Sequence, residues 1–253
     1  MVKVVISGAL GRMGTNIGRI VDEAPDMELV GGIDVREGTL FGTEVVPAAK
    51  MDAFLEEKKP DVLIDFTVAA AAVENIKAAA RNDVALIVGT TGFSPEQRTT
   101  IASAVEGTVP AVISSNFSVG VNIFWKLVRE AARELGDYDI EVTEAHHRYK
   151  KDAPSGTAKT ILEILDQELG NREKVYGRVG DAPRKEGEIG VHAVRGGDIV
   201  GDHSVLFAGN FECIEVSHRA YDRAVFAQGA VRAARWVVGR EPRIYGMQDV
   251  LGL

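Results

Sequence analysis

The sequence predicts an α/β fold in its first half, a doubly wound parallel sheet, followed by a second α+β domain carrying an open mixed or antiparallel sheet. Three observations predict it. Short apolar runs alternate with helical periodicities up to residue 117, a glycine-bearing turn follows the first run, and from residue 118 the pattern changes to longer helices and alternating strands.

Val2 to Ile6 reads as a buried strand and Gly8 to Gly14 as a turn. Met13, Ile17, Ile20 and Val21 then recur at helical spacing. Met27 to Ile33 forms the next strand, ending at Asp34, 20 residues beyond Gly14. In a dinucleotide-binding unit the glycines let backbone amides approach a pyrophosphate, and an acidic residue about 20 positions on receives the ribose hydroxyls. The spacing here is G-x-x-G-x-x-G, a weak signal alone, but strand, turn, helix and Asp34 together make a Rossmann-type unit. Arg36 stands two residues further, placed to pair with a 2′-phosphate, so both NADH and NADPH are expected as cofactors.

Val62 to Phe66, Val84 to Val88 and Val109 to Ser114 read as further strands, with helices over Ala69 to Ala80 and Pro95 to Val105 between them. Ligands bind such sheets beyond the carboxyl ends of the strands. The loops Gly89-Thr90-Thr91-Gly92 and Ser114-Ser115-Asn116-Phe117 are therefore expected on the same rim as the glycine turn.

Ser118 to Leu135 is a substantial helix with a wide apolar stripe, in which Trp125 is most simply core. Asp137 to Thr143 alternates as a strand. Asn171 to Gly187 is polar and charged, an excursion or mobile loop. Glu188 to Val194, Ser204 to Ala208 and Cys213 to Val216 are expected as a meander of antiparallel strands, and Phe226 to Val238 returns to helical periodicity. The last helix is expected to rejoin the first domain. That places the dinucleotide-binding domain at residues 1–117 and 228–253 and the second domain at 118–227, with a cleft between them.

The segment from Glu144 to Ala158 concentrates the chemistry. His146 and His147 are two of only five histidines, and Arg148, Lys150 and Lys151 add three cations to a chain whose formal net charge is -8. Pro154-Ser155-Gly156-Thr157 opens a helical pattern with a cap-type serine, so the amides of Gly156 and Thr157 can face an anion. This is equipment for binding and protonating a small polyanion. A solvated basic loop is the plain alternative for each residue taken singly. Metal binding is not expected, because adjacent residues on an extended segment point to opposite sides and no Cys pair or His-Glu-x-x-His pattern is present.

Composition narrows the class. With 45% apolar residues the chain can bury real cores, and its acidic balance argues against a nucleic-acid surface. No apolar run approaches the roughly 20 residues that span a bilayer, and the amino terminus enters a strand without a leader pattern. The single cysteine, Cys213, is expected as a packed or half-exposed structural thiol in a reducing, cytoplasmic setting.

The motifs GALGRMG, DFT (Asp65 to Thr67), GTTGF, SSNFSVGVN, EAHHRYKKDAPSGTA, RGGDIVGDHSVLFAG, FAQGA and MQDVLGL run nearly end to end, and the middle one is the most specific. In these the chain resembles the dihydrodipicolinate reductase family. The resemblance implies hydride transfer from NAD(P)H to a cyclic imine dicarboxylate in lysine and diaminopimelate biosynthesis. It implies His146 as proton donor, Lys150 as second acid and anchor, His147 as a substrate contact, and the amides of Gly156 and Thr157 as a carboxylate cradle. It further implies that Gly8, Ala9, Leu10, Gly11, Arg12, Met13, Asp34, Gly89, Thr90, Thr91, Ser114, Ser115, Asn116 and Phe117 line the cofactor, and that the chain is a homotetramer built through the second sheet. Two rival readings stand beside it: an amino-acid dehydrogenase such as an aspartate dehydrogenase, which needs no paired cationic anchors, and a dinucleotide-sensing regulator, against which the acidic charge speaks.

Overall fold

The computed structural model describes residues 1–253. In chain order the first elements are β1 (Val2–Ser7), α1 (Arg12–Asp22), β2 (Met27–Asp34), β3 (Gly38–Leu40), β4 (Thr43–Pro47), α2 (Met51–Lys58), β5 (Val62–Asp65), α3 (Ala69–Arg81), β6 (Ala85–Val88), α4 (Pro95–Val105) and β7 (Ala111–Ile113). Then come α5 (Val119–Glu134), β8 (Asp139–His146), α6 (Gly156–Leu169), β9 (Lys174–Tyr176), β10 (Ile189–Arg195), β11 (Gly201–Ala208) and β12 (Cys213–Ala220). The chain closes with α7 (Ala224–Val237), β13 (Ile244–Tyr245) and α8 (Met247–Leu251). Two compact units result, Met1–Val119 with Ala224–Leu253, and Gly120–Arg223.

The first unit is built on an eight-stranded sheet in the order β13-β7-β6-β5-β1-β2-β4-β3, parallel except for β3 against β4. Its central strands are buried on both faces, as their unbroken Val/Ile/Leu runs require. One apolar cluster joins α1 and α7 to one face, and a second joins α2, α3 and α4 to the other. This is the doubly wound arrangement the alternation predicts. The start of α4 is set locally by a capping box: Ser94 Oγ accepts the Gln97 amide at 3.2 Å, Gln97 Oε1 accepts the Ser94 amide at 2.9 Å, and Pro95 occupies the first turn. The β3–β4 hairpin, α2, β13 and α8 add to the elements that the periodicities predict; β3 and β13, at three and two residues, are too short for a period to emerge.

The second unit carries a five-stranded sheet in the order β12-β11-β8-β10-β9. Only β11 and β12 form the expected meander. β10 runs parallel to both β8 and β9, because α6 serves as a crossover between β8 and the later strands. The inner face (Ile140, Val142, Val191, Val205, Phe207) packs against α5 and α6. Trp125 lies in that core and its Nε1 also donates to the Thr157 carbonyl at 3.4 Å. Arg129 and Arg133 of α5 both reach Glu168 of α6, at 2.6 and 2.7 Å.

Two expectations for this unit are corrected. The excursion from Asn171 to Gly187 contains β9, and its Arg178 and Arg184 are strapped to Glu141 and Glu188, so paired charges hold it to the sheet. Cys213 is exposed rather than packed or half-exposed, because it begins β12 at the edge of the sheet. No helix is long and apolar enough to cross a membrane.

Candidate active site

In the first unit the glycine turn sits at the carboxyl end of β1, where the strand order reverses. Gly8 has φ +76°, and a Cβ on Gly14 would lie 2.1 Å from the Gly8 carbonyl oxygen, so the close approach of turn and helix excludes any side chain there. Asp34 closes the turn: its carboxylate accepts the Leu10 amide at 2.8 Å and the Val35 amide at 2.7 Å. Gly11 is the N-cap of α1 and provides no side-chain cap, leaving the first-turn amides to an external acceptor. An uncapped helix start beside a glycine turn and a carboxylate fits the diphosphate and ribose of a dinucleotide.

Behind this rim lies a device built on the DFT motif, outside the set of site residues that the sequence predicts. Asp65 is wholly buried at the end of β5. Its Oδ1 accepts the Thr67 amide (3.1 Å), the Thr67 hydroxyl (2.9 Å) and the Thr90 hydroxyl (2.8 Å), and its Oδ2 accepts Asn75 Nδ2 (2.7 Å), which also donates to Ser7 Oγ. One carboxylate therefore ties the ends of β1, β5 and β6 together. The Phe66 carbonyl oxygen lies 3.0 Å from where a Gly8 Cβ would stand, while the Phe66 ring packs on Gly89 and sits 5.7 Å from the Phe117 ring.

The expected rim residues do not all face the same way. Ala9, Thr90 and Phe117 are buried, Thr90 with its hydroxyl on Asp65, so these can offer only backbone. Gly11, Arg12, Thr91 and Ser115 are exposed; Leu10, Met13, Gly89, Ser114 and Asn116 are half-buried. Arg36 is exposed beyond the end of β2, and no carboxylate pairs with it.

In the second unit the functional segment leaves the end of β8. Glu144 and His146 share the inner face of that strand, and the Glu144 side chain is fully buried. His146 Nδ1 lies 2.6 Å from Glu144 Oε2. Arg195, directly across β10 from His146, donates to both oxygens of the same carboxylate at 2.8 and 2.7 Å. The Ser155 amide donates to Glu144 Oε1 at 3.0 Å. Burial works to raise the Glu144 carboxyl, but the hydrogen bonds from His146, Arg195 and Ser155 outweigh it and hold it at about 2.

Ser155 caps α6 by accepting the Ala158 amide at 3.2 Å, and its Oγ lies 3.2 Å from His203 Nε2. His203 is pushed down to about 3, first by burial and then by the neighbouring His146, against which its ring stands edge-on at 5.1 Å. Ser155 Oγ and His203 Nε2 share one hydrogen bond, whose direction follows the tautomer of the neutral ring. The exposed Gly156 and half-buried Thr157 follow as the first turn of α6.

Lys150 is not a bare cation: its Nζ is 2.8 Å from Asp152 Oδ1. Burial would raise the Asp152 carboxyl, and the Lys150 hydrogen bond and charge instead hold it below the ordinary range. One of its three N–H donors is thus taken by Asp152, and the others can meet an incoming carboxylate. His147 is half-buried near Tyr149, while Arg148 and Lys151 are exposed. Glu144, Arg195, Ser155 and His203 are absent from the sequence-predicted set. Glu144 was within reach, since residues two apart on a strand share a face; Arg195 is 51 residues away and only strand register brings it in.

Two family models cover the chain: "Dihydrodipicolinate reductase, N-terminus" matches residues 2–117 and "Dihydrodipicolinate reductase, C-terminus" matches residues 120–251. The chain is 92% identical over 253 residues to the 4-hydroxy-tetrahydrodipicolinate reductase of Methanoculleus marisnigri, covering all of both chains. It is 71% identical over 253 residues to that of Methanoregula boonei, covering 100% of this chain and 99% of the other. Its fold matches the dipicolinate-bound dihydrodipicolinate reductase from Paenisporosarcina sp. TG-14 with a TM-score of 0.83 at 24% identity, over 98% of each chain. A uncapped dinucleotide turn in one unit and an acid cluster at a helix mouth in the other thus occur together in a chain that belongs to the dihydrodipicolinate reductase family.

Proposed function

We propose that the protein reduces 4-hydroxy-tetrahydrodipicolinate to tetrahydrodipicolinate with NADH or NADPH. The observation that carries this reading is the buried Glu144–His146–Arg195 cluster at the mouth of α6, a proton donor set beside helix-start amides, in a chain of this family. The net change takes up one hydride and one proton and releases the 4-hydroxyl as water. When bound at the glycine turn, the reduced nicotinamide supplies the hydride.

The chain's own residues do the rest. The amides of Gly156 and Thr157 hold one ring carboxylate at the positive end of α6. Lys150 and His147 hold the other part of the dianion, with Arg148 and Lys151 adding positive potential. Hydride addition leaves an electron pair on the ring, and His146 quenches it with a proton, an effect worth about 100 to 10,000 fold in rate. Asp34 receives ribose hydroxyls and the turn from Gly8 to Met13 the diphosphate, while Arg36 accommodates a 2′-phosphate.

Assembly as a homotetramer through the second sheet is part of the same proposal. It is supported by the outer face of that sheet, where Thr143, Ser204 and Ser217 stand in register beside the β12 edge, which exposes Ile214.

The direct test couples the purified protein to the condensation of pyruvate with aspartate semialdehyde and follows NADPH absorbance. Turnover is expected there. No turnover, with activity on aspartate instead, would transfer the protein to the aspartate dehydrogenase reading. His146→Gln should lower kcat about 100-fold or more with cofactor affinity nearly unchanged. Lys150→Ala should lose both turnover and substrate affinity.

A further inference from the structure

One carboxylate in the second unit touches three parts of the reaction apparatus. Glu144 Oε2 meets His146 Nδ1 at 2.6 Å and Arg195 Nη1 at 2.8 Å, while Oε1 meets Arg195 Nη2 at 2.7 Å and the Ser155 amide at 3.0 Å. An ionised carboxylate only accepts hydrogen bonds. With all four hydrogen bonds donated to it, the hydrogen of a neutral His146 ring must reside on Nδ1, and Nε2 becomes the atom that gains and loses the proton. Arg195 itself is fixed by donating to the Asp152 carbonyl at 2.7 Å and the Val194 carbonyl at 2.7 Å. On the opposite edge of the imidazole, Gly201 leaves the room: a Cβ there would stand 3.1 Å from Nε2.

We propose that Glu144, clamped by Arg195, is a positioning residue that locks His146 in its Nδ1–H tautomer and presents Nε2–H of the imidazolium as the proton source. This deepens the reductase reading and rests on it. In the proton step the Nε2–H bond breaks, the ring's electron pair takes the proton, and His146 is left neutral with Nδ1–H on Glu144; a proton from solvent restores the imidazolium. Because the same carboxylate holds the Ser155 amide, the acid and the α6 amides share one anchor, and movement of one moves the other. The Glu144 carboxylate, balanced by Arg195, remains ionised throughout and transfers nothing.

The test is chosen to separate this proposal from the function it rests on. In the 15N-histidine-labelled full chain, whose five histidines keep the spectrum simple, long-range 1H–15N correlations report which His146 nitrogen bears the hydrogen, with no substrate needed. Wild type is expected to show protonated Nδ1 and unprotonated Nε2 once the ring is neutral. In Glu144→Gln the single carbonyl oxygen is claimed by Arg195 and Ser155, so the amide NH2 faces His146 and the hydrogen shifts to Nε2. The kcat should then fall about 100-fold while the substrate KM stays within about threefold, and Arg195→Lys should fall about tenfold. A wild-type ring carrying its hydrogen on Nε2 overturns the proposal, as does Glu144→Gln with wild-type kcat. Should that variant not fold, the wild-type tautomer still decides. Absence of reductase turnover in wild type would refute the functional reading while leaving the tautomer measurement to judge the clamp.

Discussion

His203 predicts how the second unit responds to acid. The ring is 5% exposed, its Nδ1 has no hydrogen-bond partner, and burial followed by the charge of His146 pushes it down to about 3 from 6.5. A base with a lowered folded-state pKa keeps its full contribution above the unfolded value and loses it as pH falls. Between pH 6.5 and pH 3 the unfolded chain binds one more proton at this residue than the folded one. Stability therefore declines by about 1.4 kcal/mol per pH unit from this residue alone, or about 3 kcal/mol between pH 6.5 and 4.5. His203→Gln keeps an acceptor for Ser155 Oγ but cannot charge, so its stability should be flatter over that window by the same amount. Trp125, buried in the second unit, reports unfolding in a Trp236→Phe background, and urea midpoints at fixed protein concentration give the pH slope. Parallel slopes for the two proteins, or a His203 ring that titrates near 6.5 by NMR, would refute the reasoning.

Other perturbations test the remaining arguments. Gly14→Ala places a methyl 2.1 Å from the Gly8 carbonyl oxygen and 2.7 Å from that of Ala9, so it should cost about 1–3 kcal/mol in urea stability and weaken NADPH binding measured by fluorescence titration. Asp65→Asn substitutes a donor for one acceptor in a network of donors; a loss of about 1–3 kcal/mol is expected, with weaker cofactor binding and unchanged substrate KM at saturating cofactor. Arg36→Ala should raise the KM for NADPH about tenfold and leave that for NADH within about twofold, which initial rates will decide. Lowering the pH from about 4.5 towards 2 should also release the stability held by Glu144, whose depressed pKa contributes fully above the unfolded value and is lost as the pH falls towards the folded one; Glu144→Gln should lack that final acid limb in the same titration.

Much of this protein was legible in one dimension because its signals are local. Apolar runs, helical spacing, a glycine turn with an acid 20 residues on, and a cap-type serine after a basic run all act within one or two elements. The alternation alone therefore predicts the doubly wound sheet, and the motif from Glu144 to Ala158 marks where the chemistry lies. Short elements such as β3, β9 and β13 escape because two or three residues carry no period, and β10 reads as antiparallel in the sequence because strand direction depends on the crossover rather than on the strand's own residues.

Tertiary structure alone decided which groups meet. Arg195 reaches Glu144 only through the β8–β10 register, His203 reaches Ser155 from β11, and Asp65 gathers three strand ends from positions 7 to 90. It also turned the side chains of Thr90 and Phe117 inward, away from the rim on which their loops lie. Sequence determines what each segment can become through backbone preference and hydrophobic period; a hydrogen bond between distant residues is set by the packing that leaves a buried charge no other partner.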